Sequence, residues 1–144
     1  MEKIIIEYAY AFAIEHVWTA LTDPAELADW LMPGDFKAVV GHKLTFRCNP
    51  QPEYDGTVEV EILEVDKPYR LSYSWKTSNM KKPTTVTFIL TPTRDGGTHL
   101  RLEHSGFKGD IGKTMFPIFK GGWGHKLRLQ LEPVIARLAK KTTK

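Results

Sequence analysis

A single cysteine, Cys48, in 144 residues leaves no intramolecular disulfide and no multi-cysteine metal site. Long hydrophobic runs are also missing. None approaches the roughly 18–20 residues of a membrane-spanning helix, so no membrane span is expected. The opening Met1-Glu2-Lys3-Ile4 carries no signal-peptide core, and a cytoplasmic location is the expectation. Charge of one sign is scarce: 20 Lys and Arg against 17 Asp and Glu give a formal net charge of +3. The basic residues are scattered, with Lys81-Lys82 and Lys140-Lys141 as short pairs and no aromatic side chains interleaved among them. No nucleic-acid partner is therefore expected. Gly-x-Ser-x-Gly, His-Glu-x-x-His, a phosphate loop and a dinucleotide fingerprint are all absent, so neither metal nor cofactor is expected.

What is present is the balance of an ordinary globular domain: 42% hydrophobic and 26% charged residues. There is no internal repeat or linker-like tract, and residues 1–144 read as one domain. Ile4, Ile6, Tyr8, Tyr10 and Phe12 alternate as the apolar side of a strand. Ile14, Val17, Trp18 and Leu21 then follow helical spacing. A second short helix, about Pro24 to Trp30, opens on Asp23 as N-cap with Pro24 at the first position and Glu26 as the return arm of a capping box.

From residue 35 to about 107 the period is two. Expected strands carry Phe36, Ala38 and Val40; Leu44, Phe46 and Cys48; Thr57 to Val65, with a bulge at Ile62-Leu63; Leu71, Tyr73 and Trp75; Val86, Phe88 and Leu90; and Leu100, Leu102 and His104 after an Asp95-Gly96 hairpin turn. The last segment is helical, with Trp123, Leu127, Leu131, Val134, Ile135 and Leu138 on one stripe. Gly121-Gly122-Trp123-Gly124 reads as its flexible entrance, and Pro133 should bend it near Leu129 at a cost of ~3 kcal/mol. The expected fold is α+β: a curved seven-stranded antiparallel sheet around a long C-terminal helix, with two short helices after the first strand.

Such a sheet wrapped round one helix leaves a wedge lined by aromatic side chains. Tyr8, Tyr10, Phe36, Phe46, Tyr73, Trp75, Phe88, Trp123 and Leu127 are candidate ligand contacts, with Trp30 and Trp123 bordering the entrance. His104, Tyr73 and Tyr8 are candidates for the few polar contacts that orient an apolar ligand. His99 and His104 fall on opposite faces of their strand, which argues against a metal pair; Ser105 faces away from His104, and Arg47 and Arg101 point outward.

The stretch Val17-Trp18-Thr19-Ala20-Leu21-Thr22-Asp23-Pro24-Ala25-Glu26-Leu27-Ala28-Asp29-Trp30 resembles the helical signature of the SRPBCC superfamily, and more narrowly of the family named for the activator of the heat-shock protein 90 ATPase. Pro24 and Glu26 are split here by Ala25, where the signature has them adjacent. Gly122-Trp123, Leu127 and Leu131 match the family's late Gly-Trp and leucines. Phe36, His104-Ser105-Gly106-Phe107 and Gly121-Gly122-Trp123 look like its YndB-like bacterial branch.

The resemblance covers nearly the whole chain. It implies a helix-grip fold shared with START lipid-transfer domains and the birch-pollen allergen. It also implies an apolar ligand of lipid, sterol, polyketide or flavonoid type, held between sheet and helix. A protein partner, namely a chaperone, is the second implied role. A polyketide cyclase- or hydrolase-like enzyme is the third, with His104 as the one inward acid–base candidate.

Overall fold

The computed structural model describes residues 3–142. In chain order the elements are β1 (Ile4–Tyr10), α1 (Ile14–Thr22), α2 (Pro24–Trp30), β2 (Lys43–Arg47), β3 (Thr57–Asp66), β4 (Arg70–Thr77), β5 (Thr84–Pro92), β6 (Thr98–Ser105), α3 (Gly109–His125) and α4 (Glu132–Thr142). The strands form one antiparallel sheet in the order β1-β6-β5-β4-β3-β2. Register keeps like with like: Phe88 pairs with Leu102 and Leu71, Val86 with His104 and Tyr73, and Leu44 with Val60. Because side chains alternate, these residues share the concave face, and all of them are buried. The opposite face carries the ion pairs Glu7–His99, Glu7–Arg101 and Arg101–Glu103.

The sheet has six strands among the described residues, where seven were expected. The segment carrying Phe36, Ala38 and Val40 is not a strand, because no partner edge is open to it. Gly41 N–H and His42 C=O bond to Ile62, and β2 takes the rest of that edge of β3. Residues 37–42 instead close a turn, with Val39 N–H on Lys37 C=O and His42 N–H on Val39 C=O. Phe36 still enters the core, at 1% exposure, while Val39 and Val40 face solvent. The expected bulge is present: register slips between Ile62 and Glu64, leaving Leu63 partly exposed.

Asp23 caps α2 by accepting from Ala25 N–H at 2.9 Å. The return arm of a capping box does not form. Asp23 N–H bonds Thr19 C=O instead, and Glu26 accepts from Arg137 of α4, which also reaches Asp29.

The C-terminal helical rod begins twelve residues earlier than its expected entrance, at Gly109, so Gly121, Gly122 and Gly124 lie inside α3. Glycine is a poor helix former, and packing overrides that preference. Gly112, Met115, Phe119, Trp123, Leu127 and Leu131 run as one buried stripe over the concave sheet. Between α3 and α4, Lys126–Leu131 form a π-helical turn. It lies immediately before Pro133, which has no N–H for the carbonyl of Leu129 and whose ring would crowd it. The expected bend near Leu129 is met by this wider turn, and Tyr10 donates its hydroxyl to Leu127 C=O there at 2.6 Å. A curved antiparallel sheet closed over a long C-terminal helical rod is the helix-grip arrangement.

Candidate functional site

The concave face is filled largely by its own rings. Phe36 meets Tyr73 edge-on at 5.8 Å, Tyr73 meets Phe88 at 6.0 Å, and Phe88 meets Trp123 at 6.0 Å. Phe46 packs beside Phe36 and Trp75. Tyr10, Phe36, Phe46, Tyr73, Phe88 and Leu127 are buried in this core, and burial pushes the Tyr73 phenol above its ordinary range. Tyr8 is half-buried against the Tyr10 ring. Trp30 is a strut rather than a rim residue: its Nε1–H donates to Ala20 C=O at 2.8 Å and ties α2 to α1.

His104 sits at the centre of a short polar relay. Trp123 Nε1–H donates to its Nδ1 at 3.0 Å. Indole nitrogen can only donate, so Nδ1 carries no proton and Nε2–H points to Thr84 Oγ1, 2.7 Å away. Thr84 in turn donates to Trp75 C=O at 2.7 Å. Both ring nitrogens are consumed by the fold, and burial drives the imidazole pKa down to about 3. Neither nitrogen has a free lone pair or a mobile proton for substrate chemistry.

Two cavities flank this relay. A cavity of about 410 Å3 lies where the β4–β5 loop meets the start of α3, among Met80, Lys81, Lys82, Phe107, Lys108 and Ile111. The second, of about 260 Å3, lies between α3 and β4. Its floor is Trp75 and Trp123, with ring centroids 5.2 Å apart, and Phe119, which meets Trp75 edge-on at 6.2 Å. Leu31 and Met32 after α2 close one side, Cys48 and Tyr54 from the β2–β3 loop another, and Lys126 stands at the start of the π turn.

The smaller cavity has the features of a binding site. It is lined mainly by apolar side chains and lies between helix and sheet. Trp75 is 3% exposed, and its indole N–H has no hydrogen-bond partner among the described residues. Tyr54 Oη lies 3.7 Å from Cys48 Sγ, and burial followed by that contact raises the phenol above its ordinary range. Burial lowers the Lys126 ammonium pKa from the usual lysine value, with the Cys48 sulfur pulling the other way. The loop holding Cys48 requires glycine at position 56. Gly56 has φ +90°, and a Cβ there would stand 2.3 Å from the Cys48 carbonyl.

The structure thus brings Trp75 and Trp123, of the expected contacts, to this cavity and packs the others behind or beside it. Phe119 went unnoticed in the sequence because the helix was started too late; carried upstream from Trp123, helical phase puts it on that face. Gly122 was read only as part of the helix entrance, and Lys126, downstream of Trp123, was left out because it falls off the apolar stripe. Cys48 was read as a strand position and Tyr54 not at all; the loop joining them has no periodicity to follow.

Among the described residues no group of three or more His, Cys, Asp or Glu side chains could hold a metal, and no helix is long and apolar enough to cross a membrane. No curated protein matches the chain. Solved structures do. Protein MLL2253 from Mesorhizobium loti is 33% identical, over 94% of this chain and 98% of that one, with a TM-score of 0.84. Protein BH1534 from Bacillus halodurans is 26% identical over 94% and 97%, with a TM-score of 0.76. CalU16 from Micromonospora echinospora is 25% identical over 96% and 82%, with a TM-score of 0.73. Residues 11–135 match the family described as activator of Hsp90 ATPase homolog 1-like protein, which takes in every element from α1 to the first turn of α4. With the helix-grip architecture and these relatives in agreement, the chain belongs to the activator of Hsp90 ATPase homolog 1-like family, within the SRPBCC superfamily.

Proposed function

We propose that this protein binds a small, ring-containing apolar molecule in the cavity between α3 and β4. The supporting observation is the lining itself: Trp75, Phe119 and Trp123 border open space, while Phe36, Phe46, Tyr73 and Phe88 are buried against one another or against neighbouring rings. The volume is below the roughly 300–1,000 Å3 of clefts that enclose drug-sized ligands. It suits one or two fused rings, or the end of a longer molecule that projects through the mouth. Each Å2 of apolar surface buried contributes ~25 cal/mol. Sterol- or lipid-sized guests would have to displace Phe119 or Trp123.

An NMR titration with 2-methylnaphthalene tests the reading. Amide shifts clustered on Phe119, Gly122, Trp123 and Lys126 are expected. Gly122→Leu should abolish them, since a Cβ at Gly122 meets nothing within 4 Å and the side chain would grow into the cavity. Flat spectra in the wild type would overturn the proposal.

The family description favours a second reading, a chaperone-directed interaction. It would use a surface rather than this cavity. An unchanged chaperone ATPase rate on adding the protein would remove it.

A further inference from the structure

Resting on that reading of the cavity, we propose that its ligand is a ring acid. An apolar ring would lie on Trp75 and Trp123, and one anionic oxygen end would accept the Trp75 indole N–H and face the Lys126 ammonium.

Two independent observations meet in this one cavity. The first is the orphaned donor. Trp75 is buried, yet its Nε1–H is bonded to nothing among the described residues, whereas the indoles of Trp30 and Trp123 both have acceptors. Leaving a buried donor unmade costs about 1–3 kcal/mol, and an acceptor supplied by a ligand would recover it.

The second is the unpaired cation. Lys126 is half-buried, and its Nζ makes a weak 3.5 Å hydrogen bond to Gln130 Oε1. Among the described residues no carboxylate lies within ion-pair distance of its Nζ, although Glu53 lines the same cavity. Lys76, also partly buried, does have a carboxylate partner, Glu59 at 3.4 Å. A half-buried ammonium without a counter-charge favours an anion.

The helix places these groups together. Lys126 follows Trp123 by three residues and Gly122 by four, so all three share one face of the rod. Gly122 keeps the space between them empty. Both polar groups therefore belong to the same cavity as its aromatic floor of Trp75, Phe119 and Trp123, as an acid with a ring attached requires.

Three probes of one shape separate the contributions: 2-naphthoate (ring, acceptor and charge), 2-naphthamide (ring and acceptor) and 2-methylnaphthalene (ring alone). Affinity should fall in that order, roughly tenfold at each step. The Trp75 indole proton, assigned from its through-space contacts with the Phe119 and Trp123 rings, should move downfield with the first two probes and not with the third. Lys126→Met should erase the naphthoate–naphthamide difference and leave the other step. Lys126→Arg should restore it, and Trp75→Phe should erase the naphthamide–methylnaphthalene step.

Equal affinity for all three probes would overturn the ring-acid assignment while leaving apolar binding in place. A naphthoate preference that survives Lys126→Met would overturn the role of Lys126. Failure of every probe to bind the wild type would overturn the cavity reading and this inference together. The indole shift needs no variant, so the test holds even if Trp75→Phe fails to fold.

Discussion

Trp123 donates its indole N–H to Nδ1 of His104 at 3.0 Å, and that one bond decides the chemical state of the histidine. It fixes the tautomer, directs Nε2–H to Thr84, and ties α3 to β6 beneath the cavity floor. A buried histidine in this position behaves as a neutral hydrogen-bonded spacer. The acid–base reading that an inward histidine invites is not supported by its surroundings.

This arrangement sets a pH dependence. The unfolded imidazole titrates near 6.5 and the folded one near 3. The unfolded state therefore binds the extra proton first as pH falls. The stability contribution is fully present above about pH 6.5 and is lost at roughly 1.4 kcal/mol per pH unit between pH 6.5 and 3. Thermal melts across that window should show the slope. His104→Gln, which can accept from Trp123 and donate to Thr84, should flatten it and melt higher than His104→Leu at neutral pH. The same slope in His104→Gln would show that other groups cause it.

Tyr10→Phe removes the hydroxyl that reaches Leu127 C=O in the π turn. The expected loss is about 1 kcal/mol of stability, measured by denaturant unfolding. Amide exchange should accelerate between residues 126 and 131. Exchange that speeds up uniformly along the chain would mean that Tyr10 acts on the core as a whole rather than on this turn.

Gly122→Ala should stabilise the protein by about 0.5–1 kcal/mol, because a helix-interior glycine is replaced where nothing obstructs a Cβ. Gly122→Leu should fold at least as well as the wild type while losing 2-methylnaphthalene. Destabilisation by Gly122→Ala would mean that the helix needs glycine for a reason other than space.

Binding of 2-naphthoate should weaken as pH rises, because Lys126 must be charged to attract it, and burial brings its titration below the usual lysine range. The other titratable groups at the cavity are Cys48, Tyr54 and Glu53. A thiolate on Cys48 would weaken anion binding in the same direction, and Cys48→Ser separates the two effects. In Lys126→Met the fall of affinity with pH should be much reduced. Affinity that rises with pH would contradict the arrangement.

Much of the fold was legible in the chain. Alternation at Leu71, Tyr73 and Trp75, or at Leu100, Leu102 and His104, is a local consequence of one wet and one buried sheet face. Asp23-Pro24 and Asp95-Gly96 act through their own backbone preferences. The segment at Phe36 failed because a strand needs a free neighbouring edge as well as alternation. The glycines of α3 failed because local propensity argued against a helix that burial of Met115, Phe119 and Trp123 imposes.

The sequence by itself determined the periodicities, the family signature and the aromatic character of the concave face, since each depends on residues close together in the chain. Tertiary structure alone decided which rings would plug the interior and which would border open space. It also decided that Trp75 would lack an acceptor and that His104 would have two partners. Those outcomes depend on β4, β6, the β2–β3 loop and α3 meeting in three dimensions, and the geometry of that meeting is set by packing over the whole sheet rather than by any one segment.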